Sequence, residues 1–365
     1  MTDSPPPTPS NSPDPSAPAS GRSIGQILKL IAQVLGFAIG IALLGWCVRE
    51  AMKNPEGLKK LANATPGQIA SLIGATLLVV FASGAAFRET LYPVRKLPML
   101  EVQATNVIAC LLALLPFKLS VFFRVLVHNR RDGVPVLTIG AWFSAVGVVI
   151  LCVLVPMLVA GIWRGQADTL WFVAAGGGML ALLQAVLFTA RSLATPSGWA
   201  WAQRFYSKLP LPRVVRPGSV AATHLFDKGH EGVRMLASPR VVFGCAGFRL
   251  LDFAAQAARI AIAAAIVGQE IQWDQALLAG SIFFLITAAA PSGALGAREG
   301  GTAWLIGAIL PHLDKEKFLV VVLTVSGTEA VVLIVGSLIG MVYLRPDRFL
   351  RRGMSIPEAP AGPAV

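Results

Sequence analysis

Thr287-Ala-Ala-Ala-Pro291-Ser-Gly293-Ala-Leu-Gly296-Ala-Arg298-Glu299-Gly-Gly301 is the stretch on which the reading of this chain turns. An apolar segment from Gln275 runs into Pro291, breaks over Ser292 to Gly296, and restarts at Ala303 to end at Leu310. Residues 275–290 reach roughly 24 Å as a helix, short of a hydrocarbon core of about 30 Å. A break rich in Pro and Gly between two half-length apolar segments predicts a re-entrant hairpin, which is stable only where its loose backbone is buried in protein or lines a wet cavity. The second half-helix opens with Arg298 and Glu299. Its free N–H groups and positive dipole end, beside a cation at membrane depth, suit an anionic group such as a lipid phosphate.

Working outward, the 365 residues are 55% hydrophobic and 14% charged, with mean hydropathy +0.67. That balance is too apolar for a soluble domain, and the apolar runs have helix length rather than strand length. The expected fold class is all-α: a polytopic membrane helix bundle. The net charge of +12 lies in loops between spans. It reads as topology and contact with anionic headgroups, not as a nucleic-acid footprint. Cys47, Cys110, Cys152 and Cys245 sit in apolar runs without ligand spacing and read as ordinary buried thiols. Residues 1–23 form a Pro/Ser-rich tail expected to be disordered, and no signal peptide. Residues 346–365 form a basic, then Pro/Ala-rich tail.

Full spans are expected near 24–48, 67–87, 134–162, 169–190, 240–268 and 318–344. Segment 102–127 fails as a span because Pro116-Phe117-Lys118 interrupts two short halves. It reads as a second re-entrant hairpin, against the alternative of one Pro-kinked span. Orientation favours the hairpin. With both broken segments returning to the side they entered, and both termini cytoplasmic, Lys and Arg on the inside outnumber those outside by 21 to 7. Span, hairpin and span then occur twice with opposite polarity, an inverted-topology repeat of the kind that places a transport site near the midplane. The basic loop 191–239 holds Trp199, Trp201 and Tyr206 as an interfacial anchor, and Val220–Leu236 as a candidate surface helix.

Span 240–268 carries Arg249, Asp252, Gln256 and Arg259 at steps of 3, 4 and 3, hence on one helix face. Each charge at bilayer depth costs about 2.5–3.5 kcal/mol on insertion scales, so the face must look into protein or water. Arg249 with Asp252 reads either as a structural pair or as part of a headgroup track with Arg259, which has no acid within a turn. Glu329 stands alone in its span and is expected to neutralise Arg298 or Arg259, or to carry a proton. Asn106, Ser120 and Arg124 are the polar candidates of the first hairpin. Gly36 with Gly40, and Gly336 with Gly340, have close-packing spacing. No metal-ligand, nucleophile-elbow or phosphate-loop motif occurs, so no cofactor and no enzymatic activity are expected.

Pro291-Ser-Gly293-Ala-Leu-Gly296-Ala-Arg298-Glu299, followed by a half-helix and a last span, resembles the second hairpin of the flippase-like transmembrane domain of lysylphosphatidylglycerol synthases. Leu115-Pro116, then Arg124 and a basic tract before Gly133, resembles the first. The likeness covers about residues 24–345 and is specific at 291–299. It implies two hairpins meeting in a lipid-accessible cavity, with Pro291, Gly293, Gly296 and Glu299 at motif positions. Where the family has a Gly-Glu pair and an acidic following span, this chain has Phe117-Lys118 and Ala141-Trp142-Phe143-Ser144. The family's soluble aminoacyl-transferase domain is expected to be missing.

The expectation is therefore a lipid flippase-like transporter of the inner (plasma) membrane. It moves an anionic or modified phospholipid, or a lipid-linked substrate, and uses Arg298, Glu299, Pro291, Gly293, Gly296, Arg249, Asp252, Arg259, Glu329, Pro116 and Arg124. Its partner is a membrane lipid, with a homo-oligomer or a lipid-modifying enzyme as further possibilities. The alternative is a non-transporting scaffold for a lipid- or glycan-modifying enzyme. A third reading, an intramembrane transferase, has only Asp252, Glu299 and Glu329 for its acids.

Overall fold

A computed structural model describes residues 24–115, 118–166, 168–208, 229–289, 295–311 and 313–345. Those residues contain thirteen helices and no strand. In order these are α1 (Ile24–Ala51), α2 (Pro55–Ala62), α3 (Pro66–Leu91), α4 (Met99–Ala113), α5 (Leu119–Arg130), α6 (Val136–Arg164) and α7 (Thr169–Ala194). There follow α8 (Pro196–Lys208), α9 (residues 229–236), α10 (Pro239–Val267), α11 (Trp273–Ala289), α12 (Ala297–Ile309) and α13 (Lys315–Leu344). Six of them, α1, α3, α6, α7, α10 and α13, are long and apolar enough to cross a bilayer. They match the six expected spans to within a few residues at each end. The chain is thus a multi-pass membrane protein. Phe172, Phe188, Ile162, Leu338 and Val342 leave large apolar side chains on the outside, where only lipid would tolerate them.

Local chemistry sets the ends. Thr65 and Gln68 form a reciprocal capping box ahead of Pro66, and the Asp168 and Asp314 carboxylates accept first-turn N–H groups of α7 and α13. Gly165 and Gly268 close α6 and α10 with positive φ. The short α2, not anticipated from the sequence, starts on an Asn54 cap and lies against the end of α10, where Gly57 approaches Val267.

The four short helices form two hairpins. Arg131, just past α5, bonds Glu101 in the first turn of α4 at 2.7 Å, so both outer ends of this pair lie together. Asp274 at the start of α11 and Leu310 at the end of α12 line one small pocket with Gly165 and Gln166, so the outer ends of the second pair also lie together. The first hairpin opens beside the start of α6 and the second beside its end. The outer ends of the two pairs therefore lie at opposite ends of this 29-residue helix. Their helices of 15, 12, 17 and 13 residues reach roughly 18–26 Å, too short to span.

Residues flanking the two turns come together inside the bundle. Leu114 at the end of α4 and Leu295 before α12 share one apolar cluster with Leu333 of α13 and Val80 of α3. Glycines permit this approach. Gly296 has φ +76°, and a Cβ there would lie 1.7 Å from the Gly40 carbonyl oxygen of α1. A Cβ on Gly40 would lie 2.6 Å from the Leu295 oxygen. The close-packing spacing at Gly40 thus receives a hairpin turn rather than another long helix. Gly336 and Gly340 do the same for the first hairpin, facing Val107 and the Ala104 oxygen of α4 at 2.8 and 3.1 Å. Gly40→Ala is accordingly expected to cost about 1–3 kcal/mol through forced backbone movement. Thermal unfolding of the detergent-purified variant checks this, and an unchanged midpoint would contradict the tip contact.

Candidate functional site

The most deeply placed span is α10. Its apolar window is 61% buried, against 17% for α1 and 22% for α7, so α10 is the pillar and the other two are peripheral. The 3-4-3 spacing places Arg249, Asp252, Gln256 and Arg259 on its inward face, and all four are buried. Arg249 Nη1 donates to Asp252 Oδ2 at 2.9 Å and reaches Ser83 Oγ of α3 at 3.5 Å. Arg259 Nε donates to Gln256 Oε1 at 2.6 Å, and its Nη1 donates to Glu329 Oε2 of α13 at 3.0 Å. The interhelical acid expected for Arg259 is therefore Glu329.

The second hairpin joins at the same carboxylate. Arg298 donates from Nη1 to Glu329 Oε2 at 3.2 Å, from Nη2 to Ser326 Oγ at 3.1 Å, and from Nε to Glu299 Oε1 at 3.1 Å. Ser326 donates to Glu299 Oε1 at 2.6 Å, and the Gly296 N–H donates to Glu299 Oε2 at 2.7 Å. Glu299 is completely buried. The start of α12, read from sequence as open to an external anion, is thus filled by its own acid, because a carboxylate three residues into a helix reaches back to the N-cap. Arg259, Arg298, Glu299 and Glu329 form a closed, neutral set.

The first hairpin contributes Arg124, only 7% exposed. Its Nη2 donates to Asn106 Oδ1 at 2.5 Å, and Asn106 in turn donates to the Val80 carbonyl. No described Asp or Glu comes within ion-pair distance of Arg124. Its guanidinium carbon lies 4.3 Å from the Phe87 ring centre, and that of Arg249 lies 5.6 Å from the same ring. Phe283 is shared in the same way by Arg298 at 4.3 Å and Arg259 at 5.2 Å. Two phenylalanines therefore each serve two arginines. Trp142, wholly buried, donates its indole N–H to the Phe87 carbonyl at 2.9 Å and packs edge-on to its ring. Where the resemblance expects acids on α6, aromatic side chains thus support the arginine layer instead.

The seven ionisable groups of this core are four arginines and three acids, leaving one positive charge in excess. Three of its polar atoms are buried without a protein partner: Arg124 Nη1, Arg249 Nε and Asp252 Oδ1. All belong to the Arg124–Arg249 end. Gly296 stands at the second tip, whereas Pro116, Pro291 and Gly293 lie outside the described residues. Ser120 is half-buried and takes no part in the core network. Of the candidate surface helix Val220–Leu236, residues 229–236 are described and are helical.

Sequence reasoning missed Phe87 and Phe283, since an aromatic residue inside an apolar run carries no one-dimensional mark. It also missed the buried His128–Asp132 pair, Nδ1 to Oδ2 at 2.7 Å, which its i,i+4 spacing could have revealed. Among the described residues no three His, Cys, Asp or Glu side chains gather as a metal site.

If Glu329 closes the neutral set, Glu329→Leu should cost about 3–5 kcal/mol by leaving Arg259 without an acid and Arg298 with Glu299 alone. Ser326→Ala should cost nearer 1 kcal/mol. Equal losses in thermal unfolding of the two purified variants would contradict the shared-carboxylate arrangement. Comparison with protein-family models, with curated proteins and with solved structures finds no match to this chain.

Proposed function

We propose that the chain is a carrier that moves an anionic lipid headgroup between leaflets, with its two hairpins re-entrant and related as an inverted-topology repeat. The headgroup belongs to an anionic or modified phospholipid or a lipid-linked phosphate, and it contacts Arg124 and Arg249. Leaving aside Lys118 and Arg124, which lie within the first hairpin, Lys and Arg on the side of the termini outnumber those opposite by 19 to 7, which supports cytoplasmic ends in a plasma membrane.

The single observation that carries this reading is the unbalanced guanidinium of Arg124 beside unfilled donors. A charge held at bilayer depth costs at least about 2.5–3.5 kcal/mol. A hydrogen bond from a charged group returns about 1.5–3 kcal/mol, and a desolvated cation–π contact about 2 kcal/mol. Asn106 and Phe87 therefore make Arg124 tolerable, yet leave Nη1 and the net charge unanswered. An anion offers both a partner and neutrality. Arg298 and Arg259, already closed by Glu329 and Glu299, hold the second hairpin in register instead of meeting the ligand first. Movement would proceed by parting the Leu114–Leu295–Leu333 contact between the tips, the element that separates the two ends of the bundle.

The test is translocation of fluorescent anionic lipids in liposomes containing the pure protein. Arg124→Gln should slow it about ten-fold or more, equivalent to about 1.4 kcal/mol of lost stabilisation, without lowering the unfolding midpoint. Arg124→Lys should retain part of the rate. Wild-type speed in Arg124→Gln would overturn the assignment, and an inert wild type across anionic lipids would favour the scaffold reading.

A further inference from the structure

A second site lies on the bundle surface, on the outer side of α12, whose first turn carries Arg298 and Glu299 into the core. A groove of about 280 Å³ runs between the end of α1 and the junction of α12 with α13, lined by Trp46, Glu50, Trp304, Lys315 and Glu316 over Gly300. Both indoles are exposed, Trp304 by 71% and Trp46 by 52%, and neither indole N–H meets an acceptor among the described residues. The stem of Lys315 lies against α12: a Cβ on Gly307 would come within 2.7 Å of its Cε. That contact holds the ammonium group at the groove. Glu50 is engaged by Lys53 at 2.9 Å, an exposed pair of the kind that a competing cation readily displaces.

We infer that this groove binds the zwitterionic headgroup of a phospholipid, with phosphate on Lys315 and the quaternary ammonium between the two carboxylates and the indole faces. Three features agree on that chemistry. Tryptophan faces attract a desolvated ammonium, and best a quaternary one. Glu50 and Glu316 supply the countercharge for it, while Lys315 and the free indole N–H groups supply donors for an adjacent phosphate. The groove also sits where α1 ends in Arg49 and Glu50 and α13 begins with Lys315 and Glu316, at the edge of the apolar belt where headgroups lie. A plain interfacial tryptophan belt would accept any headgroup. This lining, two acids to one base, selects a group carrying both signs over a purely anionic one.

The probe is a pair of short-chain, water-soluble lipids, dihexanoylphosphatidylcholine and its phosphatidylglycerol counterpart, titrated by calorimetry into the purified protein. Arg124→Gln serves as a second background, in which the buried core's contribution is weakened, so that a failed carrier reading leaves this result standing. In both backgrounds the choline lipid should bind at least about ten-fold tighter than the glycerol lipid. The double substitution E50Q/E316Q should abolish that discrimination while leaving the unfolding midpoint unchanged, because both side chains are at the surface and the Asp314 cap remains. Equal affinity for the two lipids in the parent protein, or discrimination that survives E50Q/E316Q, would overturn the inference.

Discussion

Four guanidinium groups sit inside a bundle whose outer surface is hydrocarbon, and the positions of the inner helices follow from the need to satisfy them. No bulk water compensates these charges, so each must find an acid, an amide oxygen or an aromatic face. Glu329 takes two of them, Asp252 one, and Asn106 with Phe87 the fourth. These partners come from α3, α4, α10 and α13, while the arginines come from α5, α10 and α12. A displaced hairpin would strand a charge. The network therefore specifies where the hairpins stop, whatever its net contribution to stability.

Close backbone approach is the second constraint, and it explains why small residues recur on helices that cross the whole bundle. Gly40 on α1 accepts the turn at Leu295–Gly296, and Gly336 and Gly340 on α13 accept α4. Each hairpin thus rests on a long helix through glycine, and between the two rests lies the apolar contact of Leu114, Leu295 and Leu333. Polar network and apolar tip contact lie side by side.

Much of this was legible in one dimension because the bilayer imposes simple rules. Apolar length identified the six spans, proline and glycine marked the two interruptions, and the 3-4-3 spacing put Arg249, Asp252, Gln256 and Arg259 on one face. Pairing across helices was less accessible. The sequence pointed to Arg298 as the ligand contact because an arginine at a helix start looks open. Glu329 was expected to meet Arg298 or Arg259 and meets both, but only the fold shows Glu299 turning back onto Arg298 and Gly296 while Arg124 is left without an acid. Which carboxylate reaches which guanidinium depends on helix rotation and depth, and apolar periodicity does not encode these. The aromatic support from Phe87, Phe283 and Trp142 was hidden for a related reason, since such residues look like any other part of an apolar run.

The central claim is that each hairpin returns to the face it entered, and that the two faces are opposite. Cysteine accessibility tests this most directly, with the four native cysteines replaced and single cysteines placed at the exposed positions Lys96, Arg130, Glu270 and Pro311. A membrane-impermeant thiol reagent applied to sealed cells or oriented vesicles should label Lys96→Cys and Arg130→Cys from one side only, and Glu270→Cys and Pro311→Cys only from the other. Labelling of Lys96→Cys and Arg130→Cys from opposite sides would mean that the first hairpin crosses the membrane, and would contradict the account.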